Sequence, residues 1–199
     1  MKYILSIAVI ATVLLGCQSS NNYQKVANNS LLYSQTVKQL NDVVLENNFP
    51  PMIAARNYAY ANVAAYEVIA AGNPQHYQSL AGQLHGLKEI PKPKDTASIN
   101  FPFASLIAFC KVGNSVTFPE GSMDKYVDSL KLTMKKAGMP KKVLNKSMEY
   151  ANEVANAIIA WSKDDNYNAL RSAGKYTVMN EEGRWVPTPP MYAQALEPH

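Results

Sequence analysis

Residues 51–70 carry apolar or small side chains on almost every face of the helix they would form. A helix of that kind is buried on most sides, so the chain must supply other helices to surround it. Pro50-Pro51 opens the stretch, since proline fits a first helical turn. Gly72 is a natural C-terminal stop. Alanines at 54, 55, 59, 61, 64, 65 and 70 leave room for neighbouring helices to come close.

The candidate neighbours follow from apolar periodicity. Tyr33, Val37, Leu40 and Val44 draw one stripe over residues 30–47. Phe101 to Lys111 reads as a buried helix ended by Gly113. Over residues 122–137, Met123, Tyr126, Val127, Leu130 and Met134 face inward, while Lys125, Asp128, Lys131 and Lys135 face water. After the Gly138-Met139-Pro140 break, residues 141–163 carry Leu144, Met148, Ala151, Ala155 and Ile158 on one stripe, and a turn this short predicts antiparallel packing of the two helices. A further short helix is expected over Tyr77–Leu84, followed by an exposed loop over 87–99 with Pro91 and Pro93 between lysines. The expected fold is all-α: a helix bundle with an extended C-terminal tail. In that tail Tyr176–Met179 and Arg184–Val186 flank Asn180–Gly183 as a small β-hairpin.

The N-terminus has its own logic. Lys2 precedes an apolar run from Tyr3 to Leu15 that is short for a membrane span. It ends in Leu14-Leu15-Gly16-Cys17, the pattern of a secretory signal. Cysteine directly after Leu-Leu-Gly resembles the bacterial lipobox, which makes Cys17 the expected lipidation site. Gln18 to Asn22 is the polar tether such an anchor needs, and several acyl chains hold where one does not. The expected organisation is a signal peptide over 1–16, lipidated Cys17 with a flexible tether over 17–29, a helical domain over 30–165 and the tail over 166–199. Gln18, rather than Asp, after the cysteine favours the outer membrane of a Gram-negative cell envelope.

Charge and cysteine content narrow the functional classes. The formal charge is +4, falling to +3 without Lys2, and the lysines are dispersed, which is no nucleic-acid signature. With Cys17 lipidated, Cys110 is the remaining thiol. It lies in an apolar run and reads as a buried core residue rather than a nucleophile. Glycine-rich phosphate loops, Gly-x-Ser-x-Gly and paired zinc cysteines are missing. His76 and His85, nine apart, would project from opposite sides of a helix and form no metal pair. Arg56 and Glu67 would share one helical stripe about 16 Å apart, so each needs its own partner. Helix docking is the plainer role for both, and support of an anion site the sharper one. Trp161, Asp164 and Asp165 read as packing and anchoring groups at the end of the last long helix.

Pro50-Pro51-Met52-Ile53-Ala54-Ala55-Arg56-Asn57-Tyr58, running on to Tyr66-Glu67, resembles the early helix of bacterial vanadium-dependent haloperoxidase-like proteins, within the type 2 phosphatidic acid phosphatase superfamily. Gly183-Arg184-Trp185-Val186-Pro187-Thr188-Pro189-Pro190-Met191-Tyr192, continuing to Glu197-Pro198-His199, is similar to a second stretch of that family. The resemblance implies a pocket that holds vanadate or phosphate. That pocket is built from a Lys followed by Arg-Pro, then Pro-Ser-Gly-His, then Ser-Arg before a final His. Lysine, arginine and backbone amides would neutralise the oxyanion. None of these motifs occurs here, and Lys175 is followed seven residues later by Glu182 rather than by arginine. No catalytic, cofactor-binding or metal residue carries over. The expectation is an N-terminal scaffold cut off within the family pattern, inactive alone, with a missing catalytic half or a second copy of itself as partner. The other expectation is a stand-alone envelope lipoprotein that binds a partner or small ligand.

Overall fold

The computed structural model describes residues 22–174 and 176–192. The described residues up to Ser162 form one compact unit, and those from Lys163 onward form a second. In the first unit lie α1 (Asn22–Ala27), α2 (Ser30–Glu46), α3 (Pro51–Gly72), α4 (Phe101–Val116), α5 (Asp124–Lys136) and α6 (Lys141–Ser162). The second holds α7 (Tyr167–Ser172).

Three helices make the core. α3 and α4 pack most extensively, and α6 packs on both. α4 is the buried centre: Phe103 to Cys110 is inaccessible to solvent or nearly so. Its amphipathic neighbours each turn one stripe toward it. Leu40 of α2, Met134 of α5, and Ala151, Val154 and Ile158 of α6 are among the fully enclosed side chains. At about 1.5–3 kcal/mol for each large apolar side chain, this burial is the main stabilising term.

The helix ends follow from local chemistry. Asn29 and Asn100 cap α2 and α4 by accepting from the Leu31 and Phe103 backbone N–H groups at 3.0 and 2.9 Å. Pro51 occupies the first turn of α3. Gly138, with φ +88°, closes α5. There the Gly138 N–H donates to the Lys135 carbonyl and the Met139 N–H to the Met134 carbonyl, the paired bonds of a left-handed helix stop.

Several expectations need correction. α4 does not stop at Gly113 but runs on to Val116. The glycine is there for space: a Cβ on it would sit 2.9 Å from Met123 Sδ and 3.2 Å from Leu40 Cδ1. Gly72 likewise admits the Phe101 ring, whose Cγ would lie 2.3 Å from an added Cβ. Residues 77–84 form turns rather than a helix, because Glu67 takes up the Leu80 N–H. Part of the segment expected as tether, Asn22–Ala27, is helical and packs on α5, with Ala27 buried. α6 spends its apolar stripe on α4 and α3, and packs only slightly on α5.

In the second unit the expected hairpin does not form. Among the described residues there are no strands. A turn at Glu181–Arg184 is closed by the Arg184 N–H on the Glu181 carbonyl, and the Tyr176 and Trp185 rings meet edge to face at 6.0 Å. The start of the supposed extended tail is helical instead, as α7, with the Tyr167 N–H held by Asp165 Oδ1 at 3.0 Å.

Candidate functional site

α3 places Arg56 and Glu67 on one stripe, and the structure gives each a docking task. Arg56 Nη2 donates to the Ser162 carbonyl at 2.9 Å, at the C-terminal end of α6. That end of a helix carries partial negative charge, so a guanidinium stabilises it. The same group stacks over Tyr60 at 4.9 Å, and Tyr60 meets Trp161 edge to face at 4.9 Å. Trp161 Nε1 in turn donates to the His85 carbonyl at 3.0 Å. One ladder therefore ties α3, the end of α6 and the loop after α3 together.

Glu67 is 1% exposed. Its two oxygens accept from the Leu80 N–H and the Ser79 hydroxyl, each at 2.7 Å. The carboxylate thus replaces a helix turn as acceptor for the loop. Glu67 and Glu153 also bear on Tyr150, whose hydroxyl donates to the Pro91 carbonyl at 3.1 Å. Burial first, and those two carboxylates after it, push the Tyr150 phenol well above the ordinary tyrosine range. The sequence reading missed Tyr150, because a tyrosine on an apolar stripe gives no sign of the loop carbonyl it meets.

Next to Arg56, Asn57 is fully enclosed and its Nδ2 has no hydrogen-bond partner. Its Oδ1 accepts from Arg56 Nη1 at 3.4 Å.

The other candidates are inert or lie elsewhere. Cys110 is completely buried, and desolvation raises its thiol far beyond the range of a reactive thiolate. His76 and His85 are exposed in the loop after α3. Asp164 and Asp165 are exposed in the second unit, in a single helical turn over Lys163–Asp165. Cys17, Lys175 and His199 lie outside the described residues.

Two depressions mark the surface of the helical body. An open cleft of about 820 Å³ is bordered by Lys111, Asn114, Thr117, Phe118, Glu120 and Asp124. Its polar floor is already self-satisfied: Asn114 Oδ1 accepts from the Met123 N–H and its amide donates to Asp124 Oδ1, both at 2.7 Å. A hollow of about 40 Å³ between the loop and α6 is lined by Lys94, Asp95, Lys146, Glu149, Tyr150 and Glu153. Lys146 and Glu149 pair there at 2.8 Å, which raises the lysine and lowers the carboxylate. Two lysines against three carboxylates leave this small hollow net negative, which suits no oxyanion.

Among the described residues no group of three His, Cys, Asp or Glu side chains is placed to hold a metal ion. Vanadate or phosphate asks for converging cations and a histidine. Arg56 is committed to a helix end and a ring, and both described histidines are loop residues. The donor set among the described residues therefore does not fit that group.

Comparison with solved structures shows a likeness. A bacterial vanadium-dependent iodoperoxidase matches over 84% of this chain at 37% identity, with a TM-score of 0.76. The chain spans 40% of that protein's length. No protein-family model matches the sequence, and no curated protein matches it. The helical body has a haloperoxidase-like fold.

Proposed function

We propose that this chain is the N-terminal helical scaffold of a lipid-anchored enzyme of the vanadium haloperoxidase and acid phosphatase type, held in the cell envelope through Cys17. It contributes shape and packing rather than catalytic groups. The observation that carries this reading is the match at 37% identity across 84% of the chain, against only 40% of the iodoperoxidase. The lack of a fitting donor set is consistent with it. In an enzyme of this type the oxyanion pocket would be built from residues outside this scaffold.

The corner between α2 and α3 supports a partner surface. Leu45 and Met52 are 65% and 64% exposed there. Phe118, 55% exposed, stacks on Phe49 with centroids 4.6 Å apart. Clustered large apolar groups of this kind mark contact surfaces.

Two assays test the reading. The full chain, supplied with hydrogen peroxide, iodide or bromide and vanadate, should give no halide oxidation, and no phosphate release from an aryl phosphate. Turnover above the protein-free rate in either assay would overturn it. Metabolic labelling with a radioactive fatty acid should mark the wild type and not Cys17→Ser. Equal labelling, or none, would remove the anchor.

A further inference from the structure

We infer that the lysine-rich outer face of α5 and the start of α6 form an electrostatic docking surface for anionic phospholipid headgroups. From Asp124 to Lys142 the chain has six lysines against two aspartates, a surplus equal to its whole formal charge of +4. The rest of the chain is therefore balanced, and the excess is gathered on one short stretch. Lys125, Lys135, Lys136, Lys141 and Lys142 are exposed. Lys131 is drawn down to Asp128 at 3.0 Å, and Asp124 is engaged by Asn114. Lys142 makes only a loose pair with Asp95 at 3.9 Å. Both aspartates of the stretch are thus occupied, while most of its lysines stand clear.

The geometry of α5 suits a membrane surface. Its inner stripe, Tyr126, Leu130 and Met134, is spent on the bundle. On the opposite side Lys125, Leu132 and Lys136 share a stripe, since spacings of seven and four return to one face. Leu132 is 51% exposed between these lysines. An apolar residue flanked by lysines can enter the headgroup layer while the ammonium groups meet phosphates.

The chain also delivers this face to a bilayer. α1 packs on α5 and begins at Asn22, five residues after Cys17. Five residues span at most about 18 Å. A lipid on Cys17 would therefore hold α1, and with it α5, close to the surface. This step rests on the anchor proposed above; the charge and exposure of α5 do not.

The test is co-sedimentation of the full chain with vesicles of phosphatidylcholine alone and of phosphatidylcholine with phosphatidylglycerol. The wild type should prefer the anionic vesicles at low salt and lose that preference as screening sets in. Lys135→Glu with Lys136→Glu should lower the anionic preference at least about tenfold, given roughly fivefold for each lysine at such a surface. Lys88→Glu with Lys92→Glu makes the same change in net charge in the loop beside α6, and should lower it less than about threefold. Lysines at a helix C-terminus also stabilise it, so Lys135→Gln with Lys136→Gln, checked by circular dichroism, provides a milder variant with an intermediate loss. Equal binding to both vesicles would overturn the inference, as would equal losses in the α5 and loop variants. An acidic protein partner in place of lipid would give the first of those results. The segment before Cys17, with Lys2, is common to all variants, so its own attraction to anionic lipid cancels in the comparison between the α5 and loop variants. Fatty-acid labelling reports on the anchor separately, so an unlabelled Cys17 with retained anionic preference removes the anchor and keeps the surface.

Discussion

The α3–α4–α6 core and the segment after Ser162 carry similar shares of aromatic residues, yet they use them differently, and the core is much the richer in apolar side chains overall. In the core the buried side chains of α3, α4 and α6 enclose one another in one cluster, and each helix turns its apolar stripe to that packing. In the second unit Val178, Met179, Trp185, Val186, Met191 and Tyr192 are all more than a third exposed. Aromatic content alone therefore does not make a core; large side chains must recur, with other apolar residues, at a spacing that one element can present to another.

The sharpest way to break this comparison is in the core. Phe109→Ala removes a fully buried ring that meets Tyr33 edge to face at 6.0 Å. It should cost about 3–5 kcal/mol in denaturant unfolding. A loss below 1 kcal/mol would mean that α4 is not the centre.

Next in size is the buried loop clamp. Glu67→Gln keeps the shape but turns an amide toward one of two donors, and should cost about 2–3 kcal/mol. Hydrogen exchange should localise the loosening to the loop after α3, with the Leu80 amide opening first.

Alkali should act on the core. The folded state holds the Tyr150 proton more tightly than the unfolded chain does, and burial has the same effect on Tyr33, Tyr58 and Tyr126. Stability from this source is complete below the unfolded tyrosine value of about 10 and is lost as pH rises beyond it. Tyr150→Phe should lose about 1 kcal/mol at neutral pH, with the Pro91 bond, and flatten the decline above pH 10. An unchanged slope would show that Tyr150 ionises freely.

The smallest effect is expected in the tail. Trp185→Ala should change the unfolding free energy by less than about 0.5 kcal/mol, as exposed positions do. A core-sized loss there would erase the contrast between the two regions.

The same contrast explains what could be read beforehand. α2, α3, α5 and α6 are legible because their apolar runs are long and because Pro51 and Gly138 mark helix ends, whereas the Asn29 cap of α2 emerges only in the structure. The end of α4 was misread because glycine has two uses, and only the positions of Met123 and Leu40 reveal that Gly113 makes room rather than a stop. The turns at 77–84 and the missing hairpin have a common cause. Short apolar runs fit helix, strand or turn, and a distant group such as Glu67 decides between them. Of the candidate site, the docking roles of Arg56 and Glu67 followed from their spacing, but the Ser162, Ser79 and Leu80 partners did not. Tyr150 left no trace in the sequence, because its carbonyl partner lies 59 residues away.

The haloperoxidase-like helical body brings together no donor set for an oxyanion among the described residues, and the proposal above makes the chain a scaffold. Vanadium NMR of vanadate titrated with the full chain tests it most directly. The account predicts that the free vanadate resonance keeps its position and width at every protein concentration. A saturable shift or broadening, reversed by competing phosphate, would contradict it.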